Sequence, residues 1–427
     1  MKIEEIYQCY LQCTSVNTDT RKIENNSLFF ALKGDNFDAN TFAEEAINKG
    51  ALFVIIDDKK YYTDKNKMIL VTNSLQTLQE LAKYHRQQLG LPIIALTGSN
   101  GKTTTKELIH VVLSKKYNTK ATVGNLNNHI GVPLTLLSFN EDTDIGIVEM
   151  GANHQKEIEF LCSIAEPDFG YITNFGKAHL EGFGGIEGVI KGKSELYHYI
   201  EANKKAAFVN LDDEIQNEKT AQITHYSFSN TKQSDVTINS VTANPMVTIH
   251  YNQTQIQSHL IGLYNANNIN AAITIGKYFN ISDNDIKDAI ENYIPTNNRS
   301  QLIEKNSNHI ILDAYNANPS SMTAAITNLI QLESKGKIVI LGDMFELGNE
   351  SLSEHKKIIE LLINEPKIET YFIGKDFYSN QLKANNIHFF DTYESFSDSF
   401  KTKKPTHKTI LIKGSRGMSL ERTLEIL

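Results

Sequence analysis

Apolar residues in the first part of the chain occur in short runs that alternate with stretches of helical spacing. Residues 28–34 and 51–57 are apolar runs of the length expected for buried strands. Residues 40–51 and 74–90 instead carry apolar side chains at intervals of three and four, with a glycine at or near the end of each stretch. This alternation predicts a mixed α/β domain over residues 1–91.

The next part of the chain, residues 92–296, continues the alternation and predicts a parallel sheet. It opens with a strand, a glycine-rich turn and a helix, and further buried strands are predicted at 145–151 and 169–174. Between 206 and 262, short β-rich pieces are separated by Asn, Ser, Thr and Asp, which indicates antiparallel strands appended to the sheet. Helical spacing returns at 265–279.

The last part, residues 297–427, has the pattern of a doubly wound α/β sheet of the Rossmann type. The predicted strands lie at 310–314, 337–343, 370–375 and 409–415, and a predicted helix lies at 320–336. Ligands of such sheets bind beyond the carboxyl ends of the strands, which here carry Asp, Gly or Lys. Because Pro295 interrupts the pattern, a hinge between domains is predicted near 294–299.

Composition agrees with this organisation and limits the function. The chain has 427 residues, and about 150 residues per domain again gives three domains. Its net charge of −8 argues against a main role in coating nucleic acid or an anionic membrane. No apolar run approaches the roughly 18 residues of a membrane span, and the first residues lack the apolar core of a signal peptide. With only three cysteines, the expectation is a cytoplasmic α/β protein without membrane insertion.

The string TGSNGKTTT, residues 97–105, lies between a predicted strand and a predicted helix and is termed the phosphate loop here. Gly98 and Gly101 allow a tight turn that points backbone N–H groups at phosphate oxygens. Lys102 can reach the β- and γ-phosphates of a nucleotide, and the hydroxyl of Thr103 is placed to bind Mg²⁺. The loop therefore predicts binding of a nucleoside triphosphate with Mg²⁺.

The phosphate loop differs from the usual pattern at one position, because Leu96 stands where the first glycine is expected. It therefore matches a shorter variant, and the alternative is a glycine-rich surface turn. The loop by itself does not separate an ATPase, a GTPase switch, a kinase and a ligase.

Two further side chains are candidates for a metal site near the phosphate loop. Glu149 ends the strand predicted at 145–151, where a carboxylate can hold Mg²⁺ on the phosphate side. His179 follows the strand predicted at 169–174. A solvated glutamate and a structural histidine are the alternatives, and Lys193, in a helical stretch, reads by itself as a surface lysine.

Strings spread from Asp19 to Met418 together resemble the Mur ligases, the amide ligases of peptidoglycan precursor synthesis. They are TDTRKIENNSLFFALKG, TGSNGKTTT, NLNNHIGVPLTLL, EMGAN, ITNFGKAHLEGFG, YNANNINAA, LDAYNANPSSM, LGDMFELG and IKGSRGM. The strings YNANPSSM and LGDMFELG favour the member that adds D-alanyl-D-alanine to UDP-N-acetylmuramoyl-tripeptide. The resemblance implies that residues 1–91 bind the UDP-sugar peptide, residues 92–296 bind ATP, and residues 297–427 bind the incoming dipeptide.

The resemblance also implies roles for individual residues. ATP would be bound by Gly98, Ser99, Asn100, Gly101, Lys102, Thr103, Thr104, Asn268, Arg299 and Asp313. Two Mg²⁺ ions would be held by Thr103, Glu149, His179 and Lys193. Lys193 matches a lysine that CO₂ carbamylates in this family, and a carbamate offers Mg²⁺ an anionic oxygen where an ammonium would repel it. Lys102, His179 and Lys193 are the predicted catalytic residues.

Substrate contacts are predicted in three places. Asp19, Thr20 and Arg21 match a loop near the uridine diphosphate, and Asn125, Asn127, Asn128 and His129 match a stretch that faces the muramoyl-peptide. After the last strands, Lys413, Ser415 and Arg416 are candidates for the dipeptide carboxylate and Asp343 for its ammonium. For these last four, loop residues in solvent remain the alternative.

The implied reaction begins with phosphorylation of the tripeptide carboxylate by ATP, after which the amine of the dipeptide displaces phosphate. A monomer acting on small molecules, with no nucleic-acid partner, is expected. The alternatives are a sibling ligase that adds the third amino acid, a folate polyglutamate synthase, and a nucleotide-binding regulatory protein without ligase activity. The third-residue-adding member usually shows an Asp-Asn-Pro-Arg string, which this chain lacks.

Overall fold

The computed structural model describes residues 1–296, 298–334 and 336–427. They form three α/β units, each built around its own largely parallel sheet, which confirms the predicted fold class. Residue 297, where the third domain and part of the hinge were predicted, and residue 335, in the predicted helix 320–336, lie outside the described residues. Within the described ranges, no helix has both the length and the apolar character needed to cross a membrane.

The first unit contains a four-stranded parallel sheet in the order β1-β2-β5-β6 and a two-stranded ribbon, β3-β4. Its elements are α1 (Ile3–Tyr10), β1 (Val16–Asn17), β2 (Leu28–Phe30), β3 (Lys33–Gly34), β4 (Phe37–Asp38), α2 (Ala43–Asn48), β5 (Phe53–Ile56), β6 (Met68–Leu70) and α3 (Ser74–Leu89). Helix α3 buries Leu78, Leu81 and Ala82, as its spacing predicts. It ends at Gly90, whose φ of +61° is the left-handed conformation that glycine adopts without strain.

The second unit is a nine-stranded sheet in the order β15-β14-β13-β12-β11-β10-β7-β9-β8. Its elements are β7 (Ile93–Thr97), α4 (Lys102–Leu113), β8 (Thr119–Ala121), α5 (Gly131–Leu136), β9 (Ile145–Glu149), α6 (Glu157–Ala165), β10 (Phe169–Ile172), α7 (Leu180–Phe183), α8 (Ile186–Ala202), β11 (Ala206–Asn210), α9 (Glu214–Lys219), β12 (His225–Ser229), β13 (Val236–Ala243), β14 (Met246–Tyr251), β15 (Thr254–Ile261), α10 (Ala266–Tyr278) and α11 (Asp283–Glu291). Helix α3 packs against α5 and α6, so the last helix of the first unit also lies on the second.

The prediction of antiparallel strands over 206–262 is correct only in part. The pairs β13–β14 and β14–β15 are antiparallel, but β11 and β12 continue the parallel sheet. Helices α8 and α9 precede β11 and β12 and return the chain to the same edge, so these two strands run in the direction of β10. The short helix α9 was not predicted, which is why this region looked like a series of hairpins.

The third unit is a six-stranded sheet in the order β16-β17-β21-β18-β19-β20, parallel except for the pair β16–β17. Its elements are β16 (Gln301–Lys305), β17 (Asn308–Asp313), α12 (Pro319–Gln331), β18 (Lys337–Gly342), α13 (Ser351–Ile363), β19 (Ile368–Ile373), α14 (Lys375–Ser379), β20 (Ile387–Phe390), α15 (Tyr393–Phe400) and β21 (Thr409–Lys413). Helix α12 starts with Pro319 at its first position, and the side chain of Asn318 caps it by accepting the N–H of Ser321 at 2.9 Å.

Candidate active site

A cavity of about 1170 Å³ lies between the three units, at the carboxyl ends of β7 and β9. Leu75 and Gln79 of α3 line it from the first unit. The phosphate loop lines it from the second unit, and Arg299, Asp313 and Lys413 line it from the third. A ligand in this cavity would therefore touch all three domains.

The two glycines of the phosphate loop have conformations and surroundings that exclude a side chain. Gly98 has a φ of +145°, and a Cβ atom there would lie 1.9 Å from the hydroxyl oxygen of Thr173. Gly101 has a φ of +80°, and a Cβ atom there would lie 2.4 Å from Oδ1 of Asn268. The loop is thus packed closely against β10 and α10 while its backbone remains open to the cavity.

Lys102 is the first residue of α4, and its side chain folds back over the phosphate loop. Its Nζ donates a hydrogen bond to the carbonyl oxygen of Gly98 at 2.7 Å. Burial lowers the pKa of Lys102, the charge of Glu149 raises it, and that of Arg299 lowers it further. An anion above the loop would add further negative charge near this buried ammonium and so favour its charged form, which fits the predicted phosphate contact.

Glu149 is the last residue of β9 and is almost fully buried. Its Oε1 accepts a hydrogen bond from Nδ2 of Asn127 at 2.8 Å, whereas its Oε2 has no hydrogen-bond partner among the described residues. A buried carboxylate oxygen without a partner is costly unless a cation binds it. With Thr103 lining the same cavity, this free oxygen fits the predicted Mg²⁺ site.

The residues predicted to bind Mg²⁺ do not form the usual cluster of acidic side chains. No group of three or more His, Cys, Asp or Glu side chains suitable for a metal occurs in the part of the chain that the structure describes. The predicted ligands instead combine one carboxylate, one imidazole, one hydroxyl and a modified lysine. Such a set reaches a full coordination sphere only with oxygens from ATP, substrate or water.

Lys193 lies on α8 behind the cavity wall. Only 1% of the residue is exposed, and its Nζ donates to the carbonyl oxygen of Ala152, a residue that lines the cavity, at 3.2 Å. Burial, assisted by the charge of Lys102, lowers the pKa of Lys193 well below its ordinary value. The uncharged amine is the form that reacts with CO₂, so this environment fits the predicted carbamate.

His179 is the residue immediately before the short helix α7 and lines the cavity. Its φ of +52° is left-handed, which is uncommon for a residue other than glycine. Its Nδ1 pairs with the carboxylate of Glu346 in the third unit. Glu346 was not among the residues singled out from the sequence, although the string LGDMFELG contains it.

Asn268, predicted to contact adenine, lies on α10 beside the phosphate loop and lines the cavity. Its Oδ1 accepts a hydrogen bond from the hydroxyl of Thr105 at 3.0 Å, and its Nδ2 donates to Oδ1 of Asn265 at 2.8 Å. The side chain is thus held in place by the protein and positions the loop.

Arg299 and Asp313, predicted to contact ATP, line the cavity from the third unit. The guanidinium of Arg299 lies 3.7 Å from the centre of the Tyr315 ring. Asp313 accepts the backbone N–H of Ser300 at 3.2 Å and forms an ion pair of 2.6 Å with Lys413, which is almost fully buried. Lys413 therefore lines the same cavity and contacts Asp313, which is predicted to bind ATP.

The four residues predicted to face the muramoyl-peptide, Asn125, Asn127, Asn128 and His129, all line the cavity. Two hydrogen bonds fix the carboxyl-terminal part of the loop that carries them. Oδ1 of Asn128 accepts the N–H of Gly131 at 2.9 Å, at the start of α5, and the carbonyl oxygen of His129 accepts Nε2 of Gln79 of α3 at 3.0 Å. The latter contact joins this loop to the first unit.

Six predicted substrate residues are not among those that line the cavity: Asp19, Thr20, Arg21, Asp343, Ser415 and Arg416. Asp19 forms an ion pair with the exposed side chain of Arg21 on the surface of the first unit. Ser415 accepts the N–H of Phe345, and Arg416 forms an ion pair with Glu421. Each of these contacts joins two residues of the same unit.

Asp343 has a structural role that the sequence did not indicate. Its two carboxylate oxygens accept the N–H groups of Asp376 and Phe377, each at 3.0 Å, at the start of α14. A carboxylate at a helix N-terminus satisfies free backbone N–H groups. Both oxygens are therefore occupied, and the expectation that Asp343 faces the dipeptide ammonium has no support in this geometry.

The second and third units contact each other directly beside the phosphate loop. Nδ2 of Asn318, the cap of α12, donates to Oδ1 of Asn100 at 2.7 Å. The N–H of Lys177 donates to the hydroxyl oxygen of Ser320 at 2.8 Å, and its Nζ pairs with Glu354 at 2.7 Å. Sequence reasoning missed these contacts, which join residues more than 140 positions apart.

Three family models match successive parts of the chain. The Mur ligase family, catalytic domain, matches residues 12–86, the Mur ligase middle domain matches 96–276, and the Mur ligase, glutamate ligase domain, matches 298–416. Together with the relatives described next, these matches show that the chain belongs to the Mur ligase family.

Several relatives of this chain carry the same name. A UDP-N-acetylmuramoyl-tripeptide–D-alanyl-D-alanine ligase from Bacillus subtilis is 36% identical over 426 residues, which cover 96% of this chain and 92% of that protein. The crystal structure of MurF from Acinetobacter baumannii matches with a TM-score of 0.88 at 30% identity, covering 99% and 97% of the two chains. The MurF ligase from Thermotoga maritima in complex with ADP matches with a TM-score of 0.84 at 25% identity, covering 98% and 97%.

Proposed function

We propose that this chain is an ATP-dependent ligase that joins D-alanyl-D-alanine to UDP-N-acetylmuramoyl-tripeptide. Relatives that match nearly the whole length of this chain are named for that activity. The structural observation that supports it most is the free oxygen of Glu149 in the cavity that the phosphate loop also lines. A phosphate loop beside a free buried carboxylate suits Mg²⁺-dependent phosphoryl transfer.

The reaction takes place in two displacements. The tripeptide carboxylate attacks the γ-phosphorus of ATP, so that a C–O–P bond forms and ADP leaves. The dipeptide amine then attacks the acyl carbon, a C–N bond forms, inorganic phosphate leaves and the amine loses a proton. Lys102 and the backbone N–H groups of the phosphate loop neutralise charge on the transferring phosphoryl group.

Thr103, Glu149, His179 and carbamylated Lys193 would hold two Mg²⁺ ions. Bound there, these ions supply positive charge to the phosphoryl oxygens. Arg299 and Asp313 bring the third domain onto ATP, and Asn268 keeps the loop in its binding conformation. Closing the cavity around the carboxyl phosphate excludes water, which would otherwise hydrolyse it.

We assign the remaining roles by domain. Residues 1–91 bind the uridine diphosphate sugar near Asp19, Thr20 and Arg21, residues 92–296 bind ATP, and residues 297–427 bind the dipeptide. Among the candidates for the dipeptide carboxylate, Lys413 is retained because it lines the cavity. A monomer in the cytoplasm, where ATP is supplied, completes the proposal.

Phosphate release from ATP tests this function. The assay contains Mg²⁺ and UDP-N-acetylmuramoyl-tripeptide, with either meso-diaminopimelate or L-lysine as its third residue, and compares D-alanyl-D-alanine with single amino acids. Release that depends on the dipeptide, with a product of pentapeptide mass, is expected. Release with a single amino acid and a shorter acceptor would instead identify a sibling ligase.

A further inference from the structure

The loop after β18 in the third domain reaches the loop before α7 in the second. The carboxylate of Glu346 pairs with Nδ1 of His179, and the carbonyl oxygen of Glu346 accepts the N–H of Glu181 at 3.2 Å. Gly348 lies so close that a Cβ atom there would be 3.2 Å from the side chain of Glu181. The two loops are therefore in contact through both side chains and backbone.

Both partners of the imidazole–carboxylate pair have an uncommon backbone conformation. The φ of His179 is +52° and that of Glu346 is +62°. Residues with a side chain occupy this left-handed region rarely, and mostly where the surrounding structure fixes them. The exposed fraction of the side chain is 21% for His179 and 52% for Glu346, so the pair lies at the edge of the cavity.

The hydrogen bond at Nδ1 determines which nitrogen of His179 remains free. A carboxylate accepts the Nδ1–H, so the neutral imidazole keeps its lone pair on Nε2. Histidines that bind metals commonly donate their other N–H to a carboxylate in this way, which fixes both the tautomer and the orientation of the ring.

We propose that Glu346 is a positioning residue that holds His179 with Nε2 directed to Mg²⁺. The inference rests on the proposed function, in which His179 is a metal ligand. Because Glu346 belongs to the third domain and His179 to the second, the metal site reaches its full affinity only when the two domains are docked. Mg²⁺ binding and domain docking therefore favour each other.

Mn²⁺ binding, followed by the electron paramagnetic resonance signal of the free ion, tests this inference. The full-length protein is saturated with the non-hydrolysable analogue AMP-PNP and UDP-N-acetylmuramoyl-tripeptide, and then titrated with Mn²⁺. The variants are E346Q, E346D and H179A. E360Q is the matched control, because Glu360 is an exposed glutamate on α13 of the same domain. Thermal unfolding and AMP-PNP binding establish that each variant is folded.

The expected result is a weakening of one class of Mn²⁺ sites by about 10–100-fold in E346Q and H179A, the range found for residues that orient metal ligands. E346D should recover part of the affinity, and E360Q should match the unsubstituted protein. Unchanged Mn²⁺ affinity in E346Q, with weakened affinity in H179A, would overturn the role of Glu346. Unchanged affinity in H179A would overturn the ligand assignment and this inference together, whereas dipeptide-dependent phosphate release by the unsubstituted protein would still uphold the ligase.

Discussion

At the scale of single residues, the site contains two lysines whose pKa values are lowered by burial. The pKa of Lys102 and that of Lys193 are both lowered, first by burial, and the charge of Lys102 adds to the effect on Lys193. Lys102 keeps a carbonyl partner in the phosphate loop and lines the cavity in which we propose that ATP binds. Nζ of Lys193 donates to the carbonyl oxygen of Ala152 at 3.2 Å and lies 5.0 Å from the centre of the Phe183 ring, and the lowered pKa of this amine suits a nucleophile.

Replacing Lys193 with alanine tests its role. We expect K193A to lower kcat by at least about 10²-fold, because one preorganised charge at a transition state is worth about that much. AMP-PNP binding should be retained, since the phosphate loop remains intact. The matched control is K191A, because Lys191 is an exposed lysine on the same helix. Turnover of K193A at the rate of the unsubstituted protein would disprove the carbamate hypothesis.

Residue identity alone pointed to the phosphate loop, Glu149 and His179, but not to the residues that contact them. The glycines, Lys102 and Thr103 could be found because a phosphate loop is local, with all its parts within one strand–turn–helix. Lys193 could be found only through the family resemblance, because nothing in its own segment distinguishes it from a surface lysine. The helix-capping role of Asp343 could not be predicted, because Asp376, whose N–H it accepts at the start of α14, lies 33 positions further along the chain.

At the scale of elements, the alternation of strands and helices was predictable and the direction of some strands was not. Apolar runs located β7, β9 and β10 of the second sheet and β17, β18, β19 and β21 of the third, because these strands are largely buried on both faces. Strands β16 and β20 are partly exposed and were not predicted. The direction of β11 and β12 depends on helices α8 and α9, and α9 has only six residues. A helix this short leaves little periodicity in the sequence.

The residue that caps the N-terminus of helix α12 also contacts the phosphate loop. Asn318 caps this helix and also donates to Asn100 of the phosphate loop. Thr392 caps α15 of the same domain by accepting the N–H of Ser395. The variant T392A therefore loses a helix cap without touching the phosphate loop, and it serves as the control for N318A.

We expect N318A and T392A each to lower the free energy of unfolding by about 1 kcal/mol, the usual cost of losing a helix cap. Only N318A should also lower kcat/KM for ATP, because only Asn318 contacts the phosphate loop. Urea denaturation and steady-state kinetics measure the two effects. Equal kinetics in the two variants would mean that the contact with Asn100 has no part in catalysis.

At the scale of the whole molecule, three domains enclose one cavity, and a few polar pairs join the second domain to the third. Lys177 crosses this boundary to Glu354, which also pairs with Lys357 of its own helix at 2.6 Å. A partly exposed ion pair is worth at most about 1 kcal/mol. Contacts of this strength hold the domains together while still allowing them to open for substrates.

The two lysines that share Glu354 provide a matched pair of variants. K177M should shift the molecule toward open forms by up to about fivefold, the equivalent of about 1 kcal/mol. K357M should not, because Lys357 lies in the same domain as Glu354. Small-angle X-ray scattering of both variants without nucleotide measures the radius of gyration. An equal radius in the two variants would contradict a role for Lys177 in docking.

Activation of the tripeptide carboxylate by ATP, for attack by D-alanyl-D-alanine, is the step on which the proposed function depends. Its most direct test is the reaction of UDP-N-acetylmuramoyl-tripeptide labelled with ¹⁸O in the carboxylate that forms the new amide bond. Mass spectrometry then follows both products. We predict that the inorganic phosphate carries one ¹⁸O atom and that the pentapeptide forms only when the dipeptide is present. Unlabelled phosphate, or a product that does not contain D-alanyl-D-alanine, would contradict this reaction.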